Sequence, residues 1–159
     1  MTEDKPRIRV LFLSTRNSTR SQMAEGWLRY LAHARYEAHS AGIQRGQVHA
    51  LAIRAMAEVG IDISQHTSKL VVGLVQEPWD YVVTVSDHAN ETCPIFPAKP
   101  QRLHWGFSDP SPAEKLRVFR RVRDDIGDCV KEWLADQPEL ESFVRPRSGG
   151  VTMIGAKPN

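Results

Sequence analysis

Cysteine is scarce in this sequence of 159 residues, which contains only Cys93 and Cys129. Two cysteines without paired spacing provide neither a disulfide framework nor the ligand set of a structural zinc site. The six histidines are scattered and match no zinc-binding spacing. We therefore expect no resident metal ion and no cofactor.

Long hydrophobic runs and a strong net charge are also missing. No apolar run approaches the roughly 18 residues of a membrane-spanning helix. The N-terminal sequence MTEDKPRIRV lacks the apolar core of a signal peptide, so we expect a cytoplasmic protein without a membrane partner. The formal net charge of +2 is too small to indicate a nucleic-acid partner. A local group of arginines can still attract a small anion.

Short apolar segments, typical of buried strands, alternate with segments of helical periodicity. Strands are predicted at 8–13, 36–40, 81–85 and 101–105, and helices after the first strand, at 48–59 and at 112–134. This alternation predicts an α/β fold in which a parallel sheet has right-handed crossovers. We assign residues 1–138 to one domain and expect residues 139–159 to form a mobile tail.

A polar loop, residues 14–21 (STRNSTRS), joins the first strand to the helix that follows. In parallel sheets, ligands bind at the carboxyl ends of strands, where loop N–H groups and a helix N-terminus attract anions. Arg20 supplies a planar fork for two oxygen atoms, and Asn17 tolerates positive φ. The alternative is a simple strand–turn–helix junction in which Ser18 and Ser21 act as helix caps.

A family resemblance covers the chain from about residue 8 to about residue 135. Eight segments carry it, in this order: NSTRSQMAEGW, SAGI, GIDIS, HTS, VVTVSD, CPIFP, HWGFSDP and FRRVRDDI. Together they closely resemble the thioredoxin-coupled arsenate reductases of arsenic resistance, which share the fold of the low-molecular-weight protein-tyrosine phosphatases. The resemblance implies a three-layer domain with a four-stranded parallel sheet flanked by helices. It also implies a P-loop that binds phosphate, arsenate or sulfate.

The chain departs from this family at the nucleophile. The family signature is C-x5-R, whose cysteine attacks arsenic or phosphorus; here Ser14 takes that place and Arg20 matches the arginine. A serine hydroxyl needs an adjacent general base, and the loop contains none. The family uses further redox cysteines. One corresponds to Val85 here, and another corresponds to Cys93, which is retained. Some members also have a second cysteine in the loop, where this chain has Thr19. We therefore expect neither arsenate reduction by the family route nor coupling to thioredoxin.

The resemblance assigns further roles outside the nucleophile position. Asp109, in an Asp-Pro pair, matches the acid that protonates the leaving oxygen, although Asp-Pro is also a common turn. Some reductases hold a potassium ion with side chains that match Asn17, Glu25 and Ser40. The carboxylate that completes this ion site corresponds to Lys69. We hypothesise that the Lys69 ammonium takes the place of the ion and pairs with Glu25; an exposed helical lysine is the alternative.

All the loop side chains are candidate oxyanion ligands: Ser14, Thr15, Arg16, Asn17, Ser18, Thr19, Arg20 and Ser21. Arg16 stands where the family usually has a small or neutral residue, and the sequence does not decide whether it meets an anion or solvent.

Three interpretations of function stay open, and the sequence does not decide whether the chain catalyses any reaction. The first is a catalytically degenerate family member, a pseudoenzyme that binds oxyanions. The others are a reductase or phosphatase captured as an engineered Cys-to-Ser variant, and an interaction scaffold with an idle pocket.

Overall fold

The computed structural model describes residues 6–137, so the predicted mobile tail at 139–159 lies outside the described residues. Its elements are β1 (Ile8–Ser14), α1 (Arg20–Ala32), β2 (Tyr36–Gly42), α2 (Ala50–Ala57), β3 (Tyr81–Thr84), α3 (Asp87–Glu91), β4 (Gln101–His104) and α4 (Leu116–Ala135). Two short 3-10 turns, Val71–Gly73 and Ser111–Ala113, lie between them. Within this part of the chain, no helix is long and apolar enough to span a membrane.

The four strands form one parallel sheet in the order β2-β1-β3-β4, which confirms the predicted fold class. Strand β1 lies inside the sheet, with Val10 opposite Ala38 on one side and Tyr81 on the other. All four residues of the segment 10–13 are fully buried. Their side chains alternate between two apolar clusters, one on each face, which explains the uninterrupted apolar run.

The two faces of the sheet are covered unequally. The larger cluster joins the sheet to α1, α2 and α4, and the smaller one joins it to α3 and the segment around Val71 and Trp79. Helices α1 and α4 approach closely, because a Cβ atom at Gly127 would lie 2.5 Å from Cε2 of Trp27. The Trp27 indole also donates a hydrogen bond to the Arg123 carbonyl at 3.0 Å. This packing holds α1 in place, and the N-terminus of α1 forms part of the candidate site.

The last helix begins later than the predicted residue 112. Ser111–Ala113 forms a separate 3-10 turn, and Glu114 ends it in the left-handed region at φ 52°. Helix α4 therefore starts at Leu116. The separate turn matters for the site, because Ser111 follows directly on the Asp109-Pro110 pair.

Candidate oxyanion site

The loop between β1 and α1 directs its carbonyl groups away from its own concave side. The carbonyl oxygens of residues 14, 15 and 18 accept hydrogen bonds from the N–H groups of residues 43, 44 and 49. The Arg16 carbonyl accepts from the Ser68 hydroxyl at 3.0 Å, and the Asn17 carbonyl from the Gln22 amide at 3.1 Å. Within residues 6–137, the N–H groups of residues 15, 16, 18 and 19 have no acceptor. Such a ring of free N–H groups at a helix N-terminus is an anion-binding arrangement.

A cleft of about 400 Å³ opens over this loop. Six of the eight predicted loop ligands line it: Ser14, Thr15, Arg16, Ser18, Thr19 and Arg20. The remaining two, Asn17 and Ser21, lie behind the loop and are fully buried. The Thr19 hydroxyl is buried in the cleft wall without a hydrogen-bond partner among the described residues. A buried hydroxyl without a partner is unusual in a folded protein, and Thr19 is one of the residues that line the cleft.

The Ser14 hydroxyl is buried and has two recorded partners. It lies 2.6 Å from the Ser21 hydroxyl and accepts the N–H of Asn17 at 3.2 Å. Ser21 already accepts a hydrogen bond from the Asn17 amide, so its own proton has only the Ser14 oxygen as acceptor among the described residues. Either hydroxyl can donate in this pair; when Ser21 donates to Ser14, the Ser14 proton is left for a ligand. No histidine, lysine or carboxylate of residues 6–137 contacts the Ser14 oxygen.

Asn17 organises the loop from behind. Its φ of 55° is the left-handed conformation that the sequence predicts. Its side-chain amide donates to Ser21 at 2.8 Å and to Ser40 at 2.9 Å, and its amide oxygen accepts the N–H of Lys69 at 2.8 Å. One buried side chain thus ties the loop to β2 and to the segment before residue 70.

The Arg20 guanidinium is held at the edge of the cleft. It donates to the Phe107 carbonyl at 3.0 Å and lies 3.8 Å from the Asp109 carboxylate. Burial lowers the pKa of Arg20, while the Asp109 and Asp87 carboxylates oppose this shift. Because an arginine stays protonated in proteins, the group keeps its positive charge beside the free N–H groups.

Asp109 lines the same cleft, with 45% of its side chain exposed. One carboxylate oxygen accepts the N–H of Ser111 at 3.0 Å, as in an Asx turn, and the other faces Arg20. The turn predicted as the alternative role is therefore formed. It also orients the carboxylate beside the place where a bound oxyanion would lie, so the turn and the acid role are compatible.

The three residues predicted to correspond to a cation site do lie together. Ser40 accepts from the Asn17 amide and donates to the Glu25 carboxylate at 2.5 Å. The positive charge that meets Glu25 comes from Arg29, at 2.6 Å, which also donates to the Ala38 carbonyl. With these groups already bound to one another, the arrangement does not fit a resident potassium ion.

The hypothesis that Lys69 pairs with Glu25 is not supported by the geometry. The Lys69 ammonium donates to the Thr67 carbonyl at 3.0 Å, and no ion pair joins it to Glu25 within 4.0 Å in the described chain. Burial lowers the pKa of Lys69, an effect that Glu25 opposes and Arg29 reinforces. Arg29 takes the role because it lies one helical turn after Glu25, on the same face of α1.

Val85, predicted to match a redox cysteine, lies fully buried in the larger apolar cluster. The next residue, Ser86, is the one that reaches the loop, since its hydroxyl lies 3.2 Å from that of Thr15. Cys93 is partly buried, and burial raises the pKa of its thiol although Arg102 opposes this. Where the end of β3 meets the loop, the side chain in contact with Thr15 is therefore the hydroxyl of Ser86, and no sulfur atom of the described residues is present there.

Sequence reasoning missed four further residues that line the cleft: Gly46, Gln47, His49 and Ser111. His49 caps α2, with its Nδ1 accepting the N–H of Leu51 at 3.0 Å. The neutral ring therefore carries its proton on Nε2, which has no partner among the described residues. Gly46 allows this segment to approach the loop, because a Cβ atom there would lie 2.6 Å from the Arg16 carbonyl oxygen, a contact that the sequence alone does not reveal.

Comparison with known proteins yields one family and a consistent set of relatives. The family model for low molecular weight phosphotyrosine protein phosphatase matches residues 9–142. An arsenate reductase of Halalkalibacterium halodurans is 46% identical over 127 residues, which are 77% of this chain and 91% of that protein. A solved arsenate reductase in the phosphate binding state has a TM-score of 0.69 at 33% identity, covering 80% of this chain and 97% of that one. The Erwinia amylovora tyrosine phosphatase AmsI, at 19% identity and a TM-score of 0.69, shares the fold and covers 85% and 96% of the two chains.

Proposed function

The chain belongs to the low molecular weight phosphotyrosine protein phosphatase family, with arsenate reductases among its relatives, and we propose that it is a catalytically degenerate member. In this proposal the loop 14–21 binds phosphate, arsenate or sulfate and performs no cysteine chemistry. The described loop supports binding, because residues with free N–H groups, Thr19 with its unpartnered hydroxyl, and Arg20 with its guanidinium all line one cleft. The solved relative in a phosphate binding state is consistent with a phosphate ligand.

The contacts of the Ser14 oxygen carry the proposal. A thiolate at this position would place a negative charge against the bound anion, whereas the Ser14 hydroxyl is neutral and has a proton that it can donate to the anion. A hydrogen bond from a neutral donor to a charged oxygen contributes about 1.5–3 kcal/mol. Because the recorded partners of Ser14 are a hydroxyl and an N–H group, nothing there removes its proton to generate an alkoxide. The site is therefore suited to retain an oxyanion and unsuited to attack one.

Coupling to thioredoxin lacks a chemical route in this chain. Reduction of arsenate consumes two electrons, which a serine cannot supply because it does not enter the oxidation ladder of sulfur. The sequence has only two cysteines; Cys129 is buried in α4, and the raised pKa of Cys93 disfavours its thiolate. Neither lines the cleft.

We accordingly expect no arsenate-dependent oxidation of NADPH when the chain is incubated with arsenate, thioredoxin and thioredoxin reductase. The rate should equal that of a mixture without the chain. The Corynebacterium glutamicum thioredoxin-dependent arsenate reductase Cg_ArsC1′, in the same assay, shows that the coupling proteins are active. Any arsenate-dependent rate that scales with the concentration of the chain would contradict the proposal of degeneracy.

Calorimetric titration with phosphate and with arsenate tests binding directly. We expect both anions to bind with one site per chain. Arg20→Ala should weaken binding about 10- to 100-fold, because it removes a charge-assisted hydrogen bond worth about 1.5–3 kcal/mol. Absence of heat with the unmodified, folded chain would reject the oxyanion proposal. It would favour the scaffold interpretation, in which Arg20→Ala leaves partner binding unchanged.

A further inference from the structure

Arg16 is the cleft residue whose role the oxyanion proposal leaves unexplained. Its side chain is exposed, lines the cleft and makes no ion pair or hydrogen bond with any described residue. Its backbone, in contrast, is tightly held. Cβ atoms at Gly42 and Gly46 would lie 2.8 Å from the Arg16 carbonyl carbon and 2.6 Å from its carbonyl oxygen, and Ser68 binds that oxygen. The packing thus fixes the backbone from which the unpaired Arg16 side chain lines the cleft.

The cleft is much larger than an inorganic oxyanion requires. A water molecule occupies about 30 Å³ in the liquid. A tetrahedral anion, only a few times larger, therefore fills a minor part of the cleft of about 400 Å³. The remaining volume, in a cleft that His49 and Ser111 also line, is sufficient for an organic group attached to the anion.

The charges lining the cleft favour a second negative group on that ligand. Two arginines line it, and Asp109 is the one carboxylate among its described lining residues. Asp109 faces Arg20 at 3.8 Å and accepts the N–H of Ser111, so its charge is already partly balanced. Arg16 has no such counter-charge. A guanidinium fork is suited to hold a carboxylate or a second phosphate through paired hydrogen bonds.

We propose that the ligand of this cleft is a phosphate monoester whose organic group carries a second anionic group, and that this second group pairs with Arg16. The inference rests on the proposed binding of the tetrahedral anion by the loop 14–21. It adds the class of ligand: the loop holds the phosphate, the cleft holds the organic group, and Arg16 selects for the additional negative charge.

Two phosphonates that cannot be hydrolysed test this preference by calorimetric titration. Benzylphosphonate carries no second charge, and 4-(phosphonomethyl)benzoate adds a carboxylate on the same ring. We expect the carboxylate to strengthen binding to the unmodified chain about fivefold, as for an accessible ion pair near the upper end of its usual range. Arg16→Ala should reduce the ratio of the two dissociation constants to about one. Because the two probes differ by one charge, this ratio also responds to a general loss of positive potential, so an arginine outside the cleft is needed as a control.

Arg45→Ala is the matched control, because Arg45 is an exposed arginine that does not line the cleft. It should retain the fivefold preference. The Arg16 inference is overturned if phosphate and both phosphonates bind but the unmodified chain does not prefer the phosphonate with the carboxylate. It is also overturned if Arg16→Ala retains that preference. In both cases the oxyanion proposal stands. If neither phosphonate nor inorganic phosphate binds the folded, unmodified chain, both proposals fail.

Discussion

Replacing Ser14 by cysteine is expected to raise the rate of aryl phosphate hydrolysis by about 10³-fold or more, since removal of a nucleophile from a hydrolase typically costs several orders of magnitude. The reason is that the surroundings of the nucleophile are otherwise complete. The Asn17 N–H and the Ser21 hydroxyl, which now bind the Ser14 oxygen, would stabilise a thiolate, as would the N-terminus of α1. Arg20 and Asp109 already lie in the same cleft.

The chemistry expected of the cysteine variant follows from this geometry. The thiolate attacks phosphorus, the bond to the aryl oxygen breaks, and Asp109 donates a proton to the departing oxygen. Water then attacks the phosphocysteine and releases phosphate. For the hydrolysis of a phosphate monoester, the degeneracy we propose therefore lies at one atom, sulfur replaced by oxygen at residue 14. Arsenate reduction would additionally need the cysteines that Thr19 and Val85 replace.

Steady-state hydrolysis of 4-nitrophenyl phosphate provides the measurement, with Ser14→Ala as the control that carries neither oxygen nor sulfur. The double variant Ser14→Cys, Asp109→Asn should lose much of the gained turnover while still binding phosphate. If Ser14→Cys folds, binds phosphate and remains inactive, the loss of catalysis involves more than residue 14. A chain that recovers activity is compatible with either origin of the serine, natural or engineered.

Replacing Asn17 by alanine is expected to lower the free energy of unfolding by about 4 kcal/mol. The change removes three hydrogen bonds of a buried amide, each worth about 1 kcal/mol. It also places a residue with a Cβ atom, but no local hydrogen bond, at φ 55°, which costs about 1 kcal/mol more. Because the same side chain shapes the loop, oxyanion binding should weaken together with stability.

Urea denaturation followed by circular dichroism measures this effect. Asn17→Gly separates its two components, because glycine accepts the left-handed conformation but makes no side-chain hydrogen bond. We expect the glycine variant to be about 1 kcal/mol more stable than the alanine variant and still well below the unmodified chain. A loss of less than 1 kcal/mol in Asn17→Ala would mean that this side chain does not hold the loop.

The general architecture could be predicted from the sequence because its causes are local. The segment 10–13 is apolar throughout because it is covered on both faces, and that pattern is visible without coordinates. The left-handed Asn17 is likewise a local preference of asparagine. The start of α4 was predicted too early, because periodicity does not reveal the left-handed Glu114 that separates the short turn from the helix.

The partners of Glu25 show where prediction by family resemblance stops. The resemblance directed attention to Lys69, yet the ammonium binds the Thr67 carbonyl and Arg29 takes the carboxylate. The spacing of four residues between Glu25 and Arg29 was readable from the sequence, since side chains four apart share a helix face. Whether Glu25 pairs with Lys69 or with Arg29 depends on interatomic distances, and matching this sequence to a family does not supply those distances.

The absence of thiolate chemistry at the loop follows from covalent composition, since no arrangement of the chain can supply the sulfur that residue 14 lacks. The opposite holds for the cleft. It is also lined by His49 and Ser111, which are remote in sequence from the loop. The pairing of Arg20 with Phe107 and Asp109 spans more than 80 residues. These contacts arise only when the helices pack on the sheet, because burial of apolar surface sets their positions and carries no local signature along the chain.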